Sequence, residues 1–158
     1  MILVALAILA APAVVLDETQ GFELDVGEGW RRVDAPVGAL ARWERGGDSV
    51  VVARCRGNTD GAYAKDKAAR ETYFDGVEQG LRDETPGYRR LARAERKLGT
   101  RKSLPGLDVW FARAHGVSGV RFVFFRGYMV VAALSSPGRT RTSEQRKLLD
   151  SFRPVVVP

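Results

Sequence analysis

One histidine and one cysteine in 158 residues remove most metal and nucleophile chemistry at the outset. A zinc or iron centre needs more His and Cys ligands than His115 and Cys55 can supply. A Ser-His-Asp hydrolase would have to use His115 as its base. Asp108 and His115 stand seven apart on one predicted strand, which turns them to opposite faces. Gly116-Val117-Ser118-Gly119 stops one residue short of the G-x-S-x-G turn and precedes a strand rather than a helix. His115 therefore reads as a turn residue. P-loop, dinucleotide-binding glycine pattern and EF-hand are also missing, and no cofactor is implied. A lone cysteine excludes an intrachain disulfide. Cys55 sits in the strand-like run SVVVARC with Arg54 and Arg56 on the opposite face, so it reads as a small buried hydrophobe rather than an activated thiol.

Positive charge is absent from the first 30 residues, and acidic charge is scarce in the rear half. Residues 1–16, MILVALAILAAPAVVL, are wholly apolar, and the polar chain begins at Asp17. The run is short for a membrane span, which needs about 20 apolar residues, and Pro12 interrupts it. Its small-residue end, Ala11-Pro12-Ala13, predicts an export signal occupying 1–13 and cut after Ala13. The expected location is periplasmic or secreted, with membrane association if the segment is not cleaved. No cysteine follows it to carry a lipid. The mature chain is expected to have no transmembrane span, and residues 20–154 are expected to form a single domain.

The formal charge of +6 is uneven: residues 17–60 carry −3, residues 61–102 carry +4 and residues 103–158 carry +5. A basic rear half suits an anionic partner such as a lipid headgroup, a wall polymer or nucleic acid. Twenty of the 25 basic residues are Arg, however, so coding bias alone can produce the excess.

Hydrophobic patterning supplies the fold. Residues 21–26 alternate apolar and acidic, as a half-buried strand does. Residues 39–44 and 49–55 follow, joined by the hairpin turn Gly46-Gly47-Asp48. Between Gly61 and Pro86 the period becomes helical, with Tyr63, Arg70, Phe74, Val77 and Leu81 on one stripe. Asn58, Thr59 and Asp60 are the predicted N-cap, and Pro86-Gly87 the stop. On that helix Asp66, Glu71, Asp75 and Glu78 alternate with Lys65, Lys67 and Arg70 in the manner of a solvated face. Four strands are predicted beyond it, at 88–98, 107–115, 120–126 and 128–134, with Arg126-Gly127 at a tight reversal. The third and fourth of these are apolar on both alternating sets, so each face of the sheet must be covered. The long helix can cover one face. The segment 142–152 can cover the other, opened by a Thr142–Gln145 capping box and turning Leu148, Leu149 and Phe152 inward. Trp30, Trp43 and Trp110 are assigned to the core. The expected class is α+β, a helix–sheet–helix sandwich with a mainly antiparallel sheet of six to seven strands.

This β-β-β-α-β-β-β-β-α order resembles the PsbP-like family, as do three phrases of the sequence. They are Gly21-Phe22-Glu23-Leu24 followed by Gly29-Trp30, then Arg126-Gly127-Tyr128-Met129-Val130-Val131, then Leu148-Leu149-Asp150-Ser151-Phe152-Arg153. The chain departs from bacterial relatives in having Gly27-Glu28-Gly29 where they often have a proline before the tryptophan. It also lacks the lipid-bearing cysteine that many of them have. The resemblance implies a fold and action by binding other proteins, with no catalytic set to carry over.

The one candidate site is the basic run Arg89, Arg90, Arg93, Arg96 and Lys97, continued by Arg101 and Lys102. On a strand these side chains project from both faces, and Tyr88 alone offers little aromatic stacking, so specific nucleic-acid recognition is not expected. The same charges would guard an edge strand against aggregation. Taken together, the sequence predicts an exported non-enzymatic domain that binds another envelope or secreted protein. The alternatives are binding of an anionic surface through the basic rear half, and a small hydrolase using Asp108, His115 or Cys55.

Overall fold

The computed structural model describes residues 14–17, 22–56, 66–99, 103–125 and 127–154. The expected signal at 1–13, the expected caps Asn58, Thr59 and Asp60, and Gly21, Tyr63, Lys65, Arg101, Lys102 and Arg126 lie outside the described residues. In chain order the elements are β1 (Val14–Asp17), β2 (Phe22–Asp25), β3 (Arg31–Val33), β4 (Ala39–Arg45), β5 (Asp48–Arg56), α1 (Lys67–Glu84), β6 (Arg89–Leu98), β7 (Leu104–Arg113), β8 (Gly116–Phe125), β9 (Tyr128–Ser136), α2 (Ser143–Ser151) and β10 (Arg153–Pro154).

The central sheet has seven strands in the order β3-β4-β5-β9-β8-β7-β6, and every neighbouring pair is antiparallel. The short strands β1, β2 and β10 form a second, three-stranded antiparallel sheet. Of that second sheet only β2 was predicted; β1, β10 and the three-residue β3 were not, because their short runs carry no alternation. β1 lies ahead of residue 20, where the sequence reading opens the domain.

β5 and β6 flank α1 in the chain yet stand four strands apart in the sheet. Eighteen helical residues span about 27 Å, enough to cross four strand spacings of about 4.8 Å each. α1 begins later than predicted. Asp66 is its N-cap, its side chain accepting a hydrogen bond from the Ala68 N–H at 2.8 Å. One of the four expected helix carboxylates is thus a cap, and the helix ends before Pro86-Gly87 as predicted.

The two faces of the sheet are both covered. Under α1 lie Leu107, Val109 and Phe111 of β7 with Val120, Phe122 and Phe124 of β8, and Phe74 of the helix stacks on Phe124 at 5.1 Å. On the other face Trp43, Val50, Val52, Trp110 and Leu134 pack against Leu148, Leu149 and Phe152. β8 therefore buries both of its alternating sets, as its apolar sequence predicts. Gly119 is required at one point of this face: a Cβ there would lie 2.6 Å from the ring of Trp110, its cross-strand partner.

α2 carries the predicted capping box, with Thr142 and Gln145 exchanging hydrogen bonds. Its last residue ties the two sheets together. Ser151 Oγ accepts from the Asp25 N–H at 3.0 Å and lies 3.1 Å from the Asp25 carbonyl, and the next residue, Phe152, meets Phe22 at 5.9 Å. Two of the phrases that carry the family resemblance are thus in contact.

Candidate functional site

Residues Arg89 to Lys97 of the basic run lie on β6, an edge strand of the sheet. A bulge between Arg90 and Ala92 inserts Leu91, which is left exposed, and this resets the alternation. Without the bulge Arg90 and Arg93 would face opposite ways. With it, both turn toward α1, and Arg96 turns to the α2 face. The five described members of the run are therefore divided between two faces and form no continuous patch. Neither Arg89 nor Lys97 makes a side-chain hydrogen bond or ion pair among the described residues.

What β6 does present to α1 is a counter-charge for Glu78. This helix residue, expected on a solvated face, is buried; its side chain is only 4% exposed. Tyr88 donates its hydroxyl proton to Oε1 at 2.8 Å, Arg90 donates to Oε2 at 2.9 Å and Arg93 to Oε2 at 3.0 Å. Burial alone would push the Glu78 carboxyl up. The hydrogen bond from Tyr88, with the charge of Arg90 and the hydrogen bonds of Arg90 and Arg93, outweighs it and holds the group below the ordinary carboxylate range. Tyr88 responds in the opposite sense: burial, then its bond to the Glu78 carboxylate, push the phenol up to about 12. Of the other helix charges, Lys67 and Glu71 form the expected i,i+4 pair at 3.7 Å, whereas Arg70 reaches across to Glu95 on β6 at 3.3 Å.

The second buried carboxylate, Asp108, faces α2. Its register partner on β8 is Arg121, and the two form a two-pronged pair with both bonds at 2.7 Å. Arg96 adds a third bond to Asp108 at 2.8 Å, and Arg121 also reaches Asp150 on α2 at 2.8 Å. Burial works to lower the Arg121 pKa, but the bonds and charges of Asp108 and Asp150 prevail and raise it. Arg121 and Asp150 were not recognised as site residues from the sequence, because only the β7–β8 register and the docking of α2 bring them to Asp108.

The residues suited to catalysis are placed apart. His115 lies in the exposed turn between β7 and β8, as predicted, while Asp108 is committed to arginines. A cleft of about 440 Å3 has Glu84, His115 and Ser118 on its wall, yet these three exchange no hydrogen bond. Ser118 Oγ meets Ser135 Oγ at 3.3 Å instead. Cys55 is half-buried on β5, and desolvation pushes its thiol up, away from the thiolate. Among the described residues no three His, Cys, Asp or Glu side chains converge to hold a metal ion, and no helix is long and apolar enough to cross a membrane.

No protein-family model matches the chain, and no curated protein does. Among solved structures it is similar to cyanobacterial PsbP (CyanoP) from Synechocystis sp. PCC 6803, with a TM-score of 0.58 at 16% identity over 92% of this chain and 95% of that one. A protein of unknown function, PA94 from Pseudomonas aeruginosa, aligns with a TM-score of 0.41 at 15% identity over 78% of this chain and 81% of that one. With two helices on a mainly antiparallel seven-stranded sheet, and with CyanoP as a neighbour across nearly its whole length, the chain has an α+β, PsbP-like fold.

Proposed function

We propose that the protein is an exported accessory domain that works by engaging another envelope or secreted protein, without chemistry of its own. The observation that carries this reading is the fate of the two buried carboxylates. Glu78 and Asp108 are each held by two or more arginine bonds, so their oxygens are occupied within the fold rather than turned to a substrate. A general acid or base needs the reverse, an oxygen within hydrogen-bond reach of a reacting group. Buried charges tied up by several partners are what a structural scaffold uses. Export is supported by the apolar run ahead of Asp17 and by the position of β1: cleavage after Ala13 leaves the β1–β2 pairing whole.

Two measurements test this. The N-terminal residue of the protein recovered from outside the cytoplasm is expected to be Val14; recovery only of a chain beginning at Met1 from the cytoplasm contradicts export. Immobilised exported protein is expected to retain a partner from envelope extract saturably, with free protein competing. Absence of any saturable, competed retention contradicts the binding reading.

A second reading, attachment to an anionic surface, is favoured by one observation. Arg141 and Arg146 make no ion pair among the described residues, in a half of the chain that carries a large positive excess. It predicts retention on a polyanionic matrix that falls steeply with salt.

A further inference from the structure

At the corner where β6 and β7 meet α2, a cleft of about 200 Å3 is lined by Arg96, Asp108, Trp110, Arg141, Arg146 and Asp150. Ala94, on the α2 side of β6, leaves it room. Its two carboxylates are already satisfied, because Arg121 beneath the cleft bonds Asp108 through two nitrogens and Asp150 through one. Arg96 spends only its Nε on Asp108, and its two Nη groups make no hydrogen bond among the described residues. Arg141 lies over the Trp110 ring, 5.4 Å from its centroid. Neither Arg141 nor Arg146 has a carboxylate partner among the described residues. Four guanidinium groups thus face two carboxylates, and two positive charges stand uncompensated at the mouth.

We propose that this cleft binds a phosphate group, carried either by a small soluble ligand or by a lipid headgroup. The donors arrive from three places: the edge strand β6, the segment preceding α2, and α2 itself. A tetrahedral dianion with more than two acceptor oxygens matches three separated planar forks better than a carboxylate does. Its charge of about −2 equals the uncompensated excess. The Trp110 ring restrains Arg141 before any ligand arrives, which lowers the ordering cost of binding. The inference is independent of partner-protein engagement, and it narrows the anionic-surface reading to one site.

Titration calorimetry of the full chain with inorganic phosphate tests it. Binding is expected to saturate with a Kd of about 1 mM or tighter and to weaken as salt is added. Arg141→Ala and Arg146→Ala are each expected to weaken it about tenfold, and the pair about a hundredfold. Both residues are exposed, so the paired variant should melt with the wild type. Arg89→Ala with Lys97→Ala removes as much charge outside the cleft and should leave binding unchanged. Failure of phosphate to saturate overturns the proposal, as does an equal loss in the two double variants. Vesicles of phosphatidylcholine with and without phosphatidic acid distinguish the sources. Retention by phosphatidic acid that disappears in Arg141→Ala/Arg146→Ala assigns a headgroup. No retention, beside intact binding of soluble phosphate, assigns a small ligand. Wild-type retention on a polyanionic matrix without phosphate binding sinks the cleft while leaving the surface reading standing.

Discussion

Among the described residues the two faces of the central sheet each bury one carboxylate, and they neutralise it differently. On the α1 face Glu78 sits at the sheet edge and is shared among Tyr88, Arg90 and Arg93; the Arg90 side chain is 48% exposed. On the α2 face Asp108 is equally buried but depends chiefly on Arg121, whose side chain is 3% exposed. Redundancy and water access make the first cluster forgiving. The second is a desolvated pair in which each member is the other's main compensation. Both join layers, Glu78 tying α1 to β6 and Asp108–Arg121 tying β7 and β8 to Asp150 of α2. The burial of a charge's partner, more than the number of its bonds, decides what its loss costs.

The largest effect expected from this contrast is Asp108→Ala, which strands Arg121 in the interior and should cost about 3–5 kcal/mol in denaturant unfolding. Glu78→Gln should cost less, about 1–3 kcal/mol, because its arginines can turn to water. The same variant sharpens the comparison through pH. Glu78 has a depressed folded pKa, so its contribution is whole above the unfolded carboxyl value and is lost as pH falls through the native one. Tyr88 is raised to about 12, so its contribution is whole below its ordinary value and is lost as pH rises through about 12. In Glu78→Gln, tyrosinate absorbance should show Tyr88 titrating closer to its ordinary value. Arg90→Ala, which removes one half-exposed partner of several, should cost less than about 1 kcal/mol. An effect as large as that of Asp108→Ala would erase the distinction between the faces. Smallest and opposite in sign, Gly76→Ala or Gly80→Ala should add about 0.5–1 kcal/mol each. Both are interior helix positions with nothing within 4 Å of an added Cβ, so α1 owes its stability to packing rather than to propensity.

The long strands and α2 were legible because local signals agree there. Alternation marks β2, the Gly46-Gly47-Asp48 turn joins β4 to β5, double-sided apolarity marks β8, and the Thr142–Gln145 spacing marks a capping box that forms. The start of α1 was misplaced because Asp60 and Asp66 are equally good caps by chemistry, while Tyr63 extends the apolar stripe backwards. Glu78 was misread for a different reason. Charges at three- and four-residue spacing look solvated on an isolated helix, and only the arrival of β6 buries this one. The β6 bulge that brings Arg90 and Arg93 to one side has no glycine to betray it. The arginine cleft was equally hidden, since Arg96 stands 45 residues before Arg141 and nothing local joins them.

A double-mutant cycle on Asp108 and Arg121, followed by denaturant unfolding, tests most directly whether the buried charges serve the scaffold. Asp108→Leu alone and Arg121→Met alone should each destabilise strongly, and the two together should restore most of the loss. Additive losses in the double variant would mean that the pair does not act as one structural unit, and would contradict the account.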